Sequence, residues 1–557
     1  MSRLRDLLYW FDQDDRHKAW RLAALALLVL GSGLGLRDPW PPGEPELALM
    51  MRDMALSGEW LIPFRAGLPF SEHPPLVIWL GASIYSLSGS LRLAVLLPSL
   101  LAAFGMLWLV YDLGRRIWGL RVGRLAAITL LCTFQFTLQA HRGQVDMVYA
   151  FFICLGLYTL LRYLLLENSP RWLVSSGAAM GFATLSNGAG YVVLALLVPW
   201  WWMRRRDWEE LPARPGTALL WPLLGGFAGV LLAWVLPALA FVSGADDPAL
   251  DRFRAALPMS LLGGWDLFLS EPPRPLWYLP LQTLMLWLPL SLLLPWLMPI
   301  WRQRLRVEDP RTGLLLGYVF ALLLFYMFLP GRHGVQVLPA LPAMALLVGA
   351  NIGGTWWRPS VQWLSRGTLI VVGVILTGFA TQAVLNPDWF GVRLPPDTPL
   401  GLVVFVGGLG VLALVLAVVF NLRSRHQALA LPVFIGLSWM LVGWGLYPWL
   451  NDVRTPNSLM LVADTQLEDW AGNKPARWGM LDWRAQFVLA SRYPIQPLTA
   501  DAVHQFCVAA GAEQRAILGP VELLRMQPGL RPLQELGIRH RAHWAMANCP
   551  AAEGPSV

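Results

Sequence analysis

RDPWPPGEPELALMMRDMALSGEWLIPFRAGLPFSEHPPLVIWL, residues 37–80, is the stretch on which the reading of this chain turns. It follows a first apolar run, and it is polar, acidic and rich in proline and glycine. It carries two acidic spots, Glu44 with Glu46, and Glu72 beside His73. Acidic groups held at a bilayer surface, in a chain otherwise built to lie in lipid, point to chemistry on a lipid-borne substrate.

The surrounding sequence supplies the lipid context. Of 557 residues, 56% are hydrophobic, only 14% are charged and 30 are tryptophan, whereas a soluble domain carries about 25% charged residues. Apolar runs of about 18 residues or more recur along most of the length, each sufficient to cross a hydrocarbon core of about 30 Å. The fold class expected is therefore an all-α polytopic membrane protein. The net charge of +8 sits in short clusters between the runs, where the positive-inside rule places it. No basic stripe or nucleic-acid motif accompanies it, so no nucleic-acid partner is expected. The opening Met1 to Lys18 is charged and amphipathic, and no small-residue cleavage site follows it, so no removable signal peptide is read.

About thirteen spans are predicted, at 19–36, 91–113, 120–139, 147–166, 171–186, 189–203, 217–243, 276–301, 313–330, 336–353, 366–386, 400–421 and 428–448. With a cytoplasmic N-terminus, the basic clusters Arg115 to Arg124, Arg204 to Arg206, Arg302 to Arg306, Arg358 to Arg366 and Arg423 to His426 all fall on one side. The opposite side then receives 37–90, the turn His141–Asp146, 244–275, Gly331–Gln336, 387–399 and the tail. Within 37–90, Glu46 to Trp60 and Leu76 to Ser88 show helical spacing suited to interfacial helices. The division expected is a membrane domain over 1–450 and a small α/β domain over 451–557, periplasmic in a Gram-negative cell. In the tail, Ser458–Val462 and Arg477–Leu481 read as strands, and Asp501–Ala509 and Val521–Leu523 as helices. Of the four cysteines, Cys132 and Cys154 lie in apolar runs, while Cys507 and Cys549 lie in the tail, where an extracytoplasmic location favours a disulfide over two free thiols.

No P-loop, dinucleotide fingerprint, nucleophile elbow or Cys-x-x-Cys pair occurs, which argues against nucleotide-driven catalysis or a structural zinc. Instead, polar residues gather at span ends expected on one side: Glu44 and Glu46, Glu72 and His73, His141 with Arg142 and Asp146, and Arg332 with His333. A carboxylate can accept the proton of an acceptor hydroxyl, and arginines can hold a departing lipid phosphate through charge-assisted hydrogen bonds. Such a set suits transfer of a sugar from a polyprenyl-phosphate carrier, a donor that arrives in the membrane. Taken singly, each of these residues is more often a solvated or snorkelling side chain; their shared placement raises the functional reading.

On these residues the chain resembles the bacterial aminoarabinose transferase and protein O-mannosyltransferase group, integral membrane glycosyltransferases of the GT-C fold. The family pattern P-D-E-x-R-Y-A … G-D-W-x-x-P … F-E-K-P-P-L-x-x-W is similar to Pro42-Gly43-Glu44-Pro45-Glu46-Leu47-Ala48, Gly58-Glu59-Trp60 with Pro63, and Ser71-Glu72-His73-Pro74-Pro75-Leu76 with Trp79. Arg142 to Asp146 resembles its R-x-x-x-D, Arg332 to Ala345 its K/R-x-x-x-x-x-L-P-x-x-P-x-x-A, and Pro275 to Pro280 a further segment. The departures are Gly43 for the family's catalytic Asp, Glu46 for an Arg, His73 for a Lys and Asn187 for a second Lys.

The resemblance implies a polyprenyl-phosphate-dependent glycosyltransferase of the inner membrane, moving a sugar from an undecaprenyl-phosphate-linked donor to lipid A or another glycan or protein. Glu44 is the first choice for the base and Asp146 the second. Arg142 and Arg332 would hold phosphate, with Glu72 and His73 alongside. No cofactor is required; the resemblance allows a divalent metal at Glu72 and His73, although two ligands are too few for a closed site. A non-catalytic paralogue, serving as partner or lipid-binding subunit of an active transferase, is the alternative that the four departures raise. A transporter is less consistent, because the polar residues gather at span ends rather than at the bilayer midplane.

Overall fold

In the computed structural model the described residues are 19–208, 220–244, 247–263, 272, 274–329, 331–385, 400–421, 427–472, 474–508, 513–527, 530, 533–539 and 542–549. The amphipathic opening, the basic cluster at 423–426 and all of 387–399 lie outside them. Among the described residues eight helices are long and apolar enough to cross a membrane: Leu91–Trp118, Val145–Leu165, Leu220–Ser243, Pro310–Met327, Gly334–Thr355, Pro359–Leu385, Leu400–Asn421 and Gln427–Arg454. Two bent pairs raise this to ten, Leu120–Leu131 with Phe134–Ala140 at 68°, and Tyr278–Leu286 with Leu290–Arg306 at 100°. The protein is a multi-pass helical membrane protein.

The difference from about thirteen predicted spans has local causes. The first run forms only the helix Ala19–Leu30, because Gly33 and Gly35 take positive φ of 76° and 78° directly after it. A side chain at Gly33 would sit 2.4 Å from the Tyr447 ring, so the turn also allows close approach to the last membrane helix. The segment predicted at 189–203 is a 3₁₀ turn, Gly190–Leu196, running into the short helix Leu197–Arg205. The helices also differ in what surrounds them. In Gly334–Thr355, 83% of the apolar stretch is buried, against 22% in Leu400–Asn421, where Val404, Val411, Val415 and Val418 are exposed. An outward apolar surface of that kind is what lipid covers.

Between the first and second runs lie the helix Glu44–Ser57, the two-stranded hairpin β1 (Phe64–Arg65) and β2 (Leu68–Pro69), and the helix Leu76–Ser88. Pro45 in the first turn and Gly58, left-handed with its N–H on Met54 O, mark the ends of the first of these helices. Both helices expected in the loop are therefore present, and Leu47, Met50, Met51, Val77 and Ile78 pack them into the main core.

From Asn457 the chain builds a five-stranded mixed sheet. Its strands are β3 (Ala476–Met480), β4 (Ile495–Pro497), β5 (Gln514–Pro520), β6 (Leu533–Arg539) and β7 (Ala542–Asn548), in the order β4-β3-β5-β7-β6. β3 runs parallel to β4 and β5, while β7 is antiparallel to β5 and β6. Alternation puts Trp478, Met480, Leu518 and Trp544 on one face and Ile517, Ala545 and Ala547 on the other. Ser458–Val462, read as a strand, belongs instead to the helix Asn457–Ala471. Its buried Leu459, Ala463, Leu467 and Ala471 recur every four residues, a period that five residues are too few to reveal.

Cys507 and Cys549 are joined by a disulfide with 5.2 Å between their Cα atoms, closing a separation of 42 residues. By the chain-entropy relation this is worth about 4 kcal/mol. Cys507→Ser should lower the unfolding free energy of this part by about 3–4 kcal/mol, seen as faster limited proteolysis after Asn457 under non-reducing conditions.

Candidate active site

The site is organised around Glu44, the first residue of its helix. Its carboxylate is buried and accepts three hydrogen bonds: from Arg37 Nη2 at 2.7 Å, from the Trp40 backbone N–H at 2.8 Å and from the Gly143 backbone N–H at 2.9 Å. Arg37 is also buried and lies 4.1 Å over the Trp40 ring. Asn451 completes the junction: it accepts from Asp38 N–H and Trp40 Nε1 and donates to Leu36 O. Glu44 thus ties the start of the 37–90 loop to the turn that carries Arg142. Gly143 fits there because a side chain would meet Val95, with its carbonyl oxygen 2.9 Å away.

That turn carries two sequence-predicted residues together. Asp146 stands in the first turn of Val145–Leu165, four positions after Arg142, within electrostatic reach of Arg142 and His333. Arg142 is exposed, and its guanidinium has no hydrogen-bond or ion-pair partner among the described residues. His141, next to it, turns away into the helix packing. It stacks on Trp439 at 4.9 Å, bonds Thr137 O at 2.8 Å and lies 3.2 Å from Ser32 Oγ. Burial pushes its pKa down to about 4, so it is a neutral packing group.

A second group lies along the same loop. Arg65, on the hairpin, is 3.3 Å from Glu46 and 3.2 Å from Glu72. The acidic residue at 46 therefore has a cationic partner 19 positions downstream, which it shares with Glu72. The His73 side chain lies close to that of Asn187; the two positions where the resemblance would place lysines adjoin each other. Burial holds the His73 pKa below its ordinary value, against the opposing effects of Glu72 and Asn187.

A divalent metal fits this pair poorly. Glu72 already faces the Arg65 guanidinium, and among the described residues no group of three or more His, Cys, Asp or Glu could hold an ion.

Arg332 is placed differently from its neighbours. It is buried, and its guanidinium donates to the backbone carbonyls of Met327 (2.6 Å) and Arg274. Arg274 Nη1 returns a bond of 2.8 Å to Arg332 O. These reciprocal clamps fix the 274 and 332 turns together, and His333 N–H is held by Gln336 Oε1 at 3.1 Å. Contacts join Glu44 to the Gly143 backbone and Arg65 to both Glu46 and Glu72, and Asp146 lies within electrostatic reach of Arg142 and His333, while the Arg332 guanidinium is spent on its own turn. Arg37, Arg65 and Arg274 were not singled out from sequence. Their only signal was position, since a lone arginine in a loop reads as a solvated cation.

Position 43 is open. Gly43 has φ −99° and ψ −27°, a conformation any residue adopts, and a Cβ there would meet only Gln144 Nε2, at 3.8 Å. A Cβ fits there without displacing backbone.

The architecture is that of a polytopic helical membrane protein with a C-terminal mixed sheet. The structure is similar to the crystal structure of ArnT from Cupriavidus metallidurans bound to undecaprenyl phosphate, with a TM-score of 0.74 over 96% of this chain and 99% of that one, at 18% identity. Residues 72–239 match the family described as dolichyl-phosphate-mannose-protein mannosyltransferase. Two curated relatives are undecaprenyl phosphate-alpha-4-amino-4-deoxy-L-arabinose arabinosyl transferases. The one from Pseudomonas paraeruginosa is 28% identical over 385 residues, 67% of this chain and 66% of that protein. The one from Edwardsiella ictaluri is 25% identical over 473 residues, 80% of each chain. The chain resembles the aminoarabinose transferases, as the motifs in the 37–90 loop implied.

Proposed function

We propose that this protein transfers a sugar from an undecaprenyl-phosphate-linked donor to an envelope acceptor, lipid A or another glycan or protein, at the periplasmic face of the inner membrane. Residues 1–450 form the membrane part, and 451–557 the periplasmic domain; its disulfide suits an oxidising compartment. The observation that carries the reading is the turn in which Arg142, without a hydrogen-bond or ion-pair partner among the described residues, sits near Asp146 at the start of a membrane helix. The Gly143 backbone, between them, is held by buried Glu44.

In this mechanism the acceptor oxygen attacks the anomeric carbon of the donor. Its proton passes to the Asp146 carboxylate. The bond between the anomeric carbon and the phosphate oxygen breaks, and its electron pair leaves on the polyprenyl phosphate, whose charge Arg142 receives. Glu44, whose two oxygens are engaged by three donors, acts as a positioning residue that sets this turn. Arg332 and Arg274 fix the opposite turn that brings His333 toward Asp146. His73 and Glu72, joined to Arg65 and Asn187, would border the phosphate. No cofactor enters the mechanism.

The test is mass spectrometry of lipid A and envelope glycans from a deletion strain with and without the wild-type gene. A sugar mass increment that depends on the gene supports transfer; its absence from every acceptor class sinks the reading and returns the non-catalytic alternative. Gly43→Asp should be tolerated within about 1 kcal/mol, because Asp is a preferred residue at a helix N-cap. Placed beside the same turn, it should raise the initial transfer rate about ten-fold or more, within the range a positioned acid or base contributes. A rate unchanged by this substitution would remove position 43 from the site.

A further inference from the structure

The helix Glu44–Ser57 has two ends with different surroundings. Its first residue is locked into the candidate active site. Eight residues on, about 12 Å along the axis, Arg52 and Asp53 line a cavity of about 590 Å³ whose far wall is the C-terminal sheet domain. The lining holds three arginines, Arg52, Arg477 and Arg492, against one carboxylate, Asp53. Arg52 is paired with Asp53 at 3.2 Å and Arg477 with Glu513 at 3.5 Å, both partly exposed. The guanidinium of Arg492 has no partner among the described residues, and its backbone N–H is fixed by Asp464 at 2.7 Å. Trp483 and Tyr493 present aromatic surface in the same wall. On the loop side, Ala66 reaches the cavity from a hairpin turn in which it and Gly67 both take positive φ, 51° and 81°.

Excess guanidinium charge recognises phosphate, and aromatic faces pack against the C–H faces of a sugar ring. The geometry points to a second binding site here, for a phosphate on the sugar head of the acceptor glycolipid. The inference rests on the transferase reading, and it assigns the domain after Asn457 a part in choosing the acceptor.

Binding and kinetics separate the two claims. The full-length protein in detergent is titrated with a glycolipid carrying phosphate on its sugar head, and with the same lipid after phosphatase treatment. Wild type should prefer the phosphorylated lipid by about ten-fold or more. The double variant Arg477→Ala/Arg492→Ala should lose that preference. Arg525→Ala, which removes an exposed cation of the same domain paired with Glu535 at 3.9 Å, should keep it. In the transfer assay the double variant should raise the acceptor KM by about ten-fold with kcat within two-fold. A preference retained by the double variant, or lost equally in Arg525→Ala, overturns the site. Inorganic phosphate that binds the groove as tightly as the glycolipid also overturns it, because the sugar then adds nothing. If wild type shows the binding preference but no transfer, the groove stands and the transferase reading falls.

Discussion

Asp146→Asn should reduce sugar transfer by about 10²- to 10⁴-fold, the usual contribution of a positioned general base. The substitution preserves size and shape, but the amide cannot take up the acceptor proton. Arg142 remains beside it and the Glu44 to Gly143 bond is untouched, so donor binding and protein level should change little. The effect should appear in kcat at saturating donor, in membranes carrying equal amounts of protein as judged by immunoblot. A variant that retains more than about a tenth of the wild-type rate would take the base role away from Asp146.

Glu44→Gln should act through the fold rather than through proton transfer. Arg37 is buried against Glu44 at 2.7 Å, and removing one partner of a buried ion pair leaves a stranded charge at a cost of about 3–5 kcal/mol. The result should be a lower unfolding temperature in detergent and a smaller yield of inserted protein. Replacing both partners, Arg37→Met with Glu44→Gln, should recover much of the loss, because no buried charge is then left alone. If Glu44→Gln instead leaves stability unchanged and abolishes transfer, Glu44 touches the reacting atoms. These two variants divide the acids that the sequence left as first and second choice.

Several site contacts lay beyond sequence reading, each for a nameable reason. Arg37 and Glu44 are seven residues apart in a proline-rich turn of no fixed period, so their pairing depends on backbone geometry. Arg65 pairs with Glu46 from a hairpin strand, and the substitution at 46 taken alone reads only as a charge reversal. Arg332 looked available for phosphate, but carbonyls at Met327 and Arg274 occupy it. His73 and Asn187 meet across 114 positions, so two separate departures prove to be neighbours. The helical tail segment after Asn457 was missed because a run of five residues does not distinguish period 2 from 3.6.

By itself the sequence determined that this is a multi-pass helical membrane protein. A bilayer core of about 30 Å demands long apolar runs, and such runs are legible one segment at a time. It also located the acidic loop, its two helices and the Arg142–Asp146 turn, because these are short-range patterns. Only the tertiary structure decided which charges are spent. Whether a carboxylate or guanidinium is free to act depends on partners brought within about 3 Å by folding, and nothing in the local order of residues encodes that distance. Burying Glu44 against Arg37, while Arg142 stays exposed without a partner among the described residues, is such a decision.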